Sequence, residues 1–449
     1  MQLGIWLDQD LVGHLGHDAA TNRFALAYTP KWRGAPRSFP LSPQLPLEPP
    51  ADQSKESHSA QVRQFFENLL PEGEALDHAA SAARIAKSNL VGLLIALGKE
   101  TAGAVRVTAE GTHIAPPGGP HHGDEGLRLV TPEQLSERIR NLAEIPFSVW
   151  DGKVRLSIAG YQDKIAVYER GEQWYLVDGG PLASTVIVKP VPRSRSLASL
   201  PANEYTCMQL AERVGLQVPR TRLVHVPEAV LLVDRFDRID EQSRVRRLHV
   251  IDGCQALGLS VSMKYERPYG DGRDVQHYRT GVSYAQLFRL LDQSPQPAVD
   301  KQALLRWAMF QVLVGNTDAH GKNLSFFCDV QGLRLAPAYD LVCTAALGAE
   351  HLSDTYALAV GNAFRSAELT PYEWATFARQ CAIPIRMVSQ QLRQLAVRML
   401  NVLDDVVSDV VSAGVPREVA QSIAAIARAN CQTQFELAPG IARVKPTDV

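Results

Sequence analysis

Cysteine is scarce where a stapled or metal-bound fold would need it. Six cysteines are spread over 449 residues, none lies in the first 206, and no two form a CxxC pair. That excludes a zinc ribbon and a disulfide framework, and it fits reduced thiols in a cytosolic protein. A surplus of charge is missing too. The formal net charge of −2 leaves no basic footprint for nucleic acid, so any meeting with DNA is expected to go through a partner. Arg244, Arg246 and Arg247 read as a solvated turn. Long apolar runs are also absent. The longest, at 90–97, is too short to span a bilayer. The N-terminus MQLGIWLDQDLVGHL lacks the basic region and apolar stretch of a secretion signal. A cytoplasmic protein with no membrane contact is expected.

What is present is an ordinary globular composition, 45% hydrophobic and 21% charged, in a chain long enough for two to four domains at roughly 100–200 residues each. Segments 4–7, 11–15 and 24–28 read as short strands. Segments 60–70, 75–87 and 90–97 read as helices, and 132–142 as another. The Pro- and Gly-rich stretch 113–125 is a linker. Between 154 and 190 the period changes to strands at 154–158, 164–168, 174–177 and 185–189, a meandering antiparallel sheet. Segment 204–214 is a helix with Asn203 as N-cap and Gly215 as its stop, followed by strands at 221–226 and 229–234.

After Arg238 the pattern turns mainly helical. The apolar spacing of 304–313 leads into Gly315. Val388, Leu392, Leu395, Met399, Leu403, Val406 and Val410 follow helical spacing, with Gly414 and Pro416 as the stop and a last helix at 417–429. The fold class expected is α+β: two lobes, with a small N-terminal α+β subdomain and an all-α C-terminal lobe. The boundaries drawn are 1–145, 146–236 for a β-rich nucleotide-binding lobe, and 237–449 for a helical catalytic lobe.

The stretch GNTDAHGKN at 315–323 concentrates polar residues between an amphipathic helix and an apolar run. Asp318 and Asn323 stand five residues apart, the spacing of base and metal ligand in a protein-kinase catalytic loop. The aspartate would take the proton of an attacking hydroxyl, and the asparagine would offer a neutral oxygen to Mg²⁺. Asp340 follows a strand 22 residues beyond Asp318 and suits a second Mg²⁺ ligand. Lys189 closes the β-branched run VIVK, where a lysine can reach phosphates or simply extend to water. Glu204 stands 15 residues on, in what reads as a first helical turn, and is a candidate partner for that lysine. SIAGYQDK at 157–164 is a strand–turn–strand able to cover phosphates with N–H groups, or an ordinary hairpin turn.

Together these pieces resemble the HipA family of bacterial serine/threonine kinases. The matching stretches are SIAGYQDK at 157–164, VIVKP at 186–190, NEYTCMQLAERVGLQVP at 203–219 and LLVDRFDR at 231–238. They continue with DGCQALGL at 252–259, MKYE at 263–266, GNTDAHGKNLS at 315–325 and LAPAYDL at 335–341. FFENLLPEG at 65–73 and GKETAGAV at 98–105 extend the likeness to the N-terminal part.

The resemblance implies ATP and Mg²⁺ as cofactors, with Asp318 as catalytic base and Asn323 and Asp340 as metal ligands. It implies nucleotide contacts from Lys189, His320, Gly321, Lys322, Asn323, Tyr339 and Asp340. Asp234, Arg235 and Phe236 would form the hinge at the adenine. Ala159, Gly160, Tyr161, Gln162, Asp163 and Lys164 would form the phosphate-binding loop, and Ser157 would be autophosphorylated. It also implies a HipB-like helix-turn-helix antitoxin as partner, operator DNA reached through that antitoxin, and a protein substrate such as glutamyl-tRNA synthetase. Two other classes remain open: a non-catalytic kinase-like corepressor, and a kinase acting on small molecules.

Overall fold

A computed structural model describes residues 1–111, 126–142, 144–151, 153–154, 162–178, 181–241, 244–348 and 354–445. The fold is a mixture of helices and sheets. By its contacts the chain divides into two compact units. The first comprises Met1–Arg193, Val224–Val261 and Phe326–Gly332; the second comprises Ser194–Leu223, Ser262–Ser325 and Leu333–Val449.

The first unit begins with a β-hairpin, Gln2–Leu7 against Asp10–Asp18, extended by Arg23–Tyr28 on one side and Val105–Ala109 on the other. Alternating apolar residues bury Leu3, Ile5, Leu15, Phe24, Leu26 and Val107, as the period of two requires. Helices Lys55–Glu67, Gly73–Ala83 and Leu90–Leu97 follow the early strands.

The second sheet of this unit is built on the strand Val186–Pro190. It pairs antiparallel with Ala229–Asp234 on one side and with Ile165–Arg170 on the other. Gln173–Val177 and then Leu127–Val130 continue the sheet outward. The edge strand Leu127–Val130 was not anticipated from sequence. Its core includes Phe147, Trp150, Ile165, Val167, Val186, Val188, Val230 and Leu232. Of the strand expected at 154–158, only Val154 falls within the described residues.

Helices dominate the second unit. The 28-residue helix Ile385–Ser412 buries all seven positions of its expected apolar stripe. It packs on Arg417–Ile441 and on Leu200–Arg213. Three local expectations are corrected here. The last helix runs to Ile441 and does not end near 429. The helix read as starting after Asn203 begins at Leu200, because Pro201 fits its first turn; Asn203 and Glu204 are therefore both inside it, and Glu204 is beyond the first turn. The stretch after Arg238 is not mainly helical at its start: short strands occur at Arg238–Asp240, Val245–Arg247 and Val250–Asp252, whereas the later strands Ser325–Asp329 and Gly332–Leu335 fall where an apolar run and a strand are read from sequence. Strands of three residues are too short to show a period.

All six cysteines are buried thiols. Among the described residues no helix is long and apolar enough to cross a membrane.

Candidate active site

The residues singled out by sequence fall into two groups, one in each unit. Ser157, Ala159, Gly160 and Tyr161 lie outside the described residues.

In the first unit, the pairing of Val188 with Ile165 sets the geometry. Lys189 directly follows Val188, and Lys164 directly precedes Ile165. Two lysines therefore leave adjacent antiparallel strands at one register, and both are buried. Two buried lysines at one register bring two positive charges together, a placement that suits a polyanion. Gln162 Nε2 donates to the carbonyl of Pro190 at 3.2 Å, tying the end of the 157–164 segment to the lysine strand. Asp163 has its pKa raised, chiefly by burial.

Asp234 ends the neighbouring strand. The next residue, Arg235, is buried, and its backbone N–H donates to Thr185 O at 2.8 Å. Phe236 meets the Phe327 ring edge-on at 6.0 Å.

The Arg235 guanidinium belongs to an ionic knot. Its Nε and Nη2 fork onto Asp237 at 2.9 and 2.7 Å. Asp237 also accepts from Arg238 Nη1 at 2.8 Å and from the Gly103 N–H at 2.7 Å. Glu100 faces Arg247 at 2.6 Å, Arg235 at 3.4 Å and Arg238 at 3.5 Å. It also accepts from the Ser184 hydroxyl at 2.5 Å. Burial alone would raise the Glu100 carboxyl; the charges of Arg247, Arg238 and Arg235 and the Ser184 hydrogen bond outweigh it and hold the pKa at about 2. Asp237 is held well below the carboxylate range by Arg235 and Arg238 against the same opposing burial.

Arg247, read from sequence as part of a solvated turn, is thus corrected: its side chain is 3% exposed and spent on Glu100. The knot was not legible as a whole, since Glu100 and the Thr101 carbonyl lie 134 to 147 residues before the arginines they meet. The GKET stretch supplied a signal only as a motif.

In the second unit the site is built from the end of helix Pro297–Val314. Gly315 takes a left-handed φ of 77° and turns the chain out of the helix. A side chain there would meet Ile426 Cγ2 at 3.1 Å. Asn316 then braces the loop: its Nδ2 donates to Gln311 Oε1 at 2.8 Å, and its Oδ1 accepts from the Asp318 N–H at 3.0 Å. Thr344 Oγ1 accepts from the Thr317 N–H at 2.8 Å. Asn323 Nδ2 donates to the Asp318 carbonyl at 3.0 Å, and the Gly321 N–H donates to Lys264 O at 2.9 Å. A Cβ at Gly321 would come within 2.6 Å of Val282, so this loop tolerates no larger residue there without a shift.

His320 is buried. Its Nδ1 accepts from the Lys322 N–H at 3.3 Å. Burial and the positive charges of Lys264 and Lys322 push its pKa down to about 3, against the opposing charge of Asp340. The imidazole is therefore neutral at pH 7, and Asp340 lies near enough to act on it. Asp340 adopts a φ of 56°, a conformation uncommon outside glycine that clusters at functional sites. Tyr339 donates its hydroxyl to Lys322 O at 2.7 Å, joining the Asp340 turn to the loop. Asp318, His320, Gly321, Lys322, Asn323, Tyr339 and Asp340 are thus gathered in one region of the second unit. One residue here was not singled out from sequence: Tyr265, whose hydroxyl donates to Asp318 Oδ1 at 2.7 Å.

An aspartate on a braced loop, an amide whose nitrogen is committed to the backbone, and a second carboxylate in a constrained turn suit proton acceptance and hard-cation binding.

Comparison with known proteins gives a consistent answer. The family model of the HipA N-terminal domain matches residues 3–108, and that of the HipA-like C-terminal domain matches 156–412. The serine/threonine-protein kinase toxin HipA of Shewanella oneidensis is 36% identical over 410 residues, 91% of this chain and 89% of that one. A putative kinase of Sinorhizobium fredii is 32% identical over 416 residues, 90% and 92% of the two chains. Among solved structures, a complex of Shewanella oneidensis HipA, HipB and operator DNA matches with a TM-score of 0.85 at 33% identity, covering 99% of this chain and 100% of that one.

Proposed function

The chain belongs to the HipA family, and from that premise we propose that it is a serine/threonine protein kinase toxin of a HipBA-type module, transferring the γ-phosphate of ATP to a protein hydroxyl. The relatives support this by their names, as a kinase toxin and a putative kinase. The observation that carries it is the bond from Asn323 Nδ2 to the Asp318 carbonyl. It makes the base and the metal ligand two ends of one rigid turn, with the amide oxygen as the opposite end of a side chain whose nitrogen is engaged.

That donor set fits magnesium. Mg²⁺ takes oxygen ligands and uses few from the protein, completing its shell with phosphate and water. Asn323 and Asp340 would hold it. Among the described residues there is no cluster of three or more His, Cys, Asp or Glu that could hold a metal. When bound, the ion neutralises charge on the phosphates.

In this reading Asp318 takes the proton of the acceptor hydroxyl while that oxygen bonds to the γ-phosphorus and the bond to the ADP oxygen breaks. Lys189, with Lys164 beside it in register, holds phosphates. Residues 159–164 cover them, and His320, Gly321, Lys322 and Tyr339 line the nucleotide. The strand end Asp234–Phe236 meets the adenine through its backbone, since the Arg235 guanidinium is engaged in the knot. Ser157 is the autophosphorylation site, and phosphate there would repel the nucleotide's own phosphates. The division at 1–145, 146–236 and 237–449 into N-terminal, nucleotide-binding and catalytic parts of a two-lobed kinase belongs to the same proposal.

A HipB-like helix-turn-helix antitoxin is the proposed partner, bringing operator DNA. The matched Shewanella oneidensis structure is a complex of HipA, HipB and operator DNA, and a net charge of −2 suits a toxin that leaves DNA contact to its partner. The proposed acceptor is an aminoacyl-tRNA synthetase such as the glutamyl enzyme.

The test is transfer from γ-labelled ATP with Mg²⁺ by the purified full chain. Asp318→Asn is expected to lower the rate by about 10²–10⁴-fold, the usual contribution of a positioned base. Undiminished labelling by that variant would falsify the assignment.

A further inference from the structure

Asp318 has a partner that no kinase-loop pattern contains. Tyr265 lies 53 positions earlier in the chain and donates its hydroxyl to Asp318 Oδ1 at 2.7 Å. Its ring stands edge-on to His320, with centroids 5.1 Å apart and planes at 89°. The Lys264 ammonium sits 5.4 Å from the centre of the same ring. The tyrosine therefore touches the loop at two of its polar residues.

The backbone carrying this ring is pinned on both sides. On one side, the Lys264 carbonyl accepts from the Gly321 N–H at 2.9 Å. On the other, the Glu266 N–H donates to Ala357 O at 2.9 Å, and the Ala357 N–H donates to Thr317 O at 2.9 Å. Glu266 Oε2 accepts from the Ala359 N–H at 2.8 Å, and Arg279 Nε donates to Oε1 at 2.7 Å. So the residues before and after Tyr265 are tied to the segments before and after Asp318. A phenol has only two soft torsions, and here its stem is fixed. Its hydroxyl holds the carboxylate at one rotation about its terminal torsion, a torsion that is otherwise broad.

We infer that Tyr265 is a positioning residue for Asp318, orienting the carboxylate toward the acceptor hydroxyl. The inference rests on the reading of Asp318 as the base. Its logic is that of any base held by a third group, where the orienter acts through the base and does not touch the substrate. A brace serving only the fold would use the ring; the orienting role needs the hydroxyl.

Tyr265→Phe separates the two, because it keeps the ring against His320 and Lys264. The full-length chain is assayed with γ-labelled ATP and Mg²⁺, using casein as a generic acceptor, with ATP affinity and the thermal midpoint measured on the same samples. The expected result is a kcat lower by about 10–100-fold, the usual cost of losing such a supporting contact, with KM for ATP unchanged and the midpoint lowered by only a few degrees, as for one lost hydrogen bond. Tyr265→Phe added to Asp318→Asn is expected to cost nothing more, since a residue acting through another has no effect once that one is gone.

Wild-type kcat in Tyr265→Phe overturns the inference. So does a further loss of similar size in the double variant, which would give the hydroxyl a role independent of Asp318. If Asp318→Asn keeps full activity, the reading of the base fails. If Asp318→Asn is inactive and Tyr265→Phe is not, only the role of Tyr265 fails.

Discussion

The junction at 99–103 in the first unit and the loop at 315–323 in the second are braced in opposite ways. In the first, the turn at 99–103 is joined to the strand ends at 184 and 235–247 by formal charges: Glu100 and Asp237 against Arg235, Arg238 and Arg247. In the second, the loop 315–323 is braced mainly by neutral groups: the amides of Asn316 and Asn323, the Thr344 hydroxyl, and the phenols of Tyr265 and Tyr339. Charged braces gain little net stability when complete, because desolvation offsets the attraction, but are costly when one partner is lost. Neutral braces cost less to lose per contact, and they add no formal charge beside Asp318 and Asp340. Under the proposed function, a loop that works with a metal and a polyphosphate is better served by braces that leave the local field to its functional groups. A junction that only has to stay closed has no such constraint.

The largest expected effect follows from breaking the charged brace. Asp237→Ala leaves Arg235 and Arg238 buried with Glu100 as their remaining acidic partner in the knot. Removing one member of a buried ionic set typically costs about 3–5 kcal/mol. Thr344→Val, which removes the hydroxyl that accepts from the Thr317 N–H, is expected to cost about 1–3 kcal/mol. Urea unfolding of both variants checks the order. If Asp237→Ala loses no more than Thr344→Val, the contrast between the two units is wrong.

Acid sharpens the same contrast. His249 in the first unit and His320 in the second are both buried, and burial is the largest cause of their depressed pKa values, about 4 and about 3. The unfolded chain takes up these protons near pH 6.5, while the folded chain does not. Stability therefore falls as pH drops below about 6.5, by at most about 1.4 kcal/mol per pH unit for each imidazole. Glu100 adds a second leg. Its folded pKa of about 2 lies below the ordinary 4.5, so its contribution is complete above about pH 4.5 and is lost as pH falls toward 2. In Glu100→Gln the fall between pH 4.5 and 2 should become shallower, while the fall between 6.5 and 4.5 keeps its slope. Unfolding free energies measured across this range would show an unchanged lower leg if the knot is not what holds the first unit.

How much of this was legible in the sequence depended on the reach of each contact. The helix Ile385–Ser412 was readable because its apolar stripe repeats over many turns. The loop at 315–323 was readable because Gly315 ends a helix and polar residues crowd between two apolar segments. Asn203 was misread because asparagine favours N-caps, whereas its amide is spent on the backbone of Cys343, 140 residues away. Tyr265 and Glu100 were visible only inside the motifs MKYE and GKET. Their partners lie in other segments, and nothing in local pattern pairs a tyrosine with an aspartate 53 residues on. The strain at Asp340 likewise has no signature beyond the tolerance of aspartate for that conformation.

The smallest effect tests whether burial, and not ion pairing itself, separates the two units. Arg213 and Asp409 join the helices Leu200–Arg213 and Ile385–Ser412 in the second unit. They are the same residue types as Arg235 and Asp237, in comparable contact. Their side chains are 46% and 61% exposed, against 2% and 9% for the buried pair. Water solvates each exposed partner when the other is removed, so neither is stranded. Arg213→Ala is therefore expected to cost about 0–1 kcal/mol, less so in high salt. A urea midpoint shifted by Arg213→Ala as far as by Asp237→Ala would mean that the charge pair, wherever it sits, sets the stability. The distinction between a charged junction and a neutrally braced loop would then lose its physical basis.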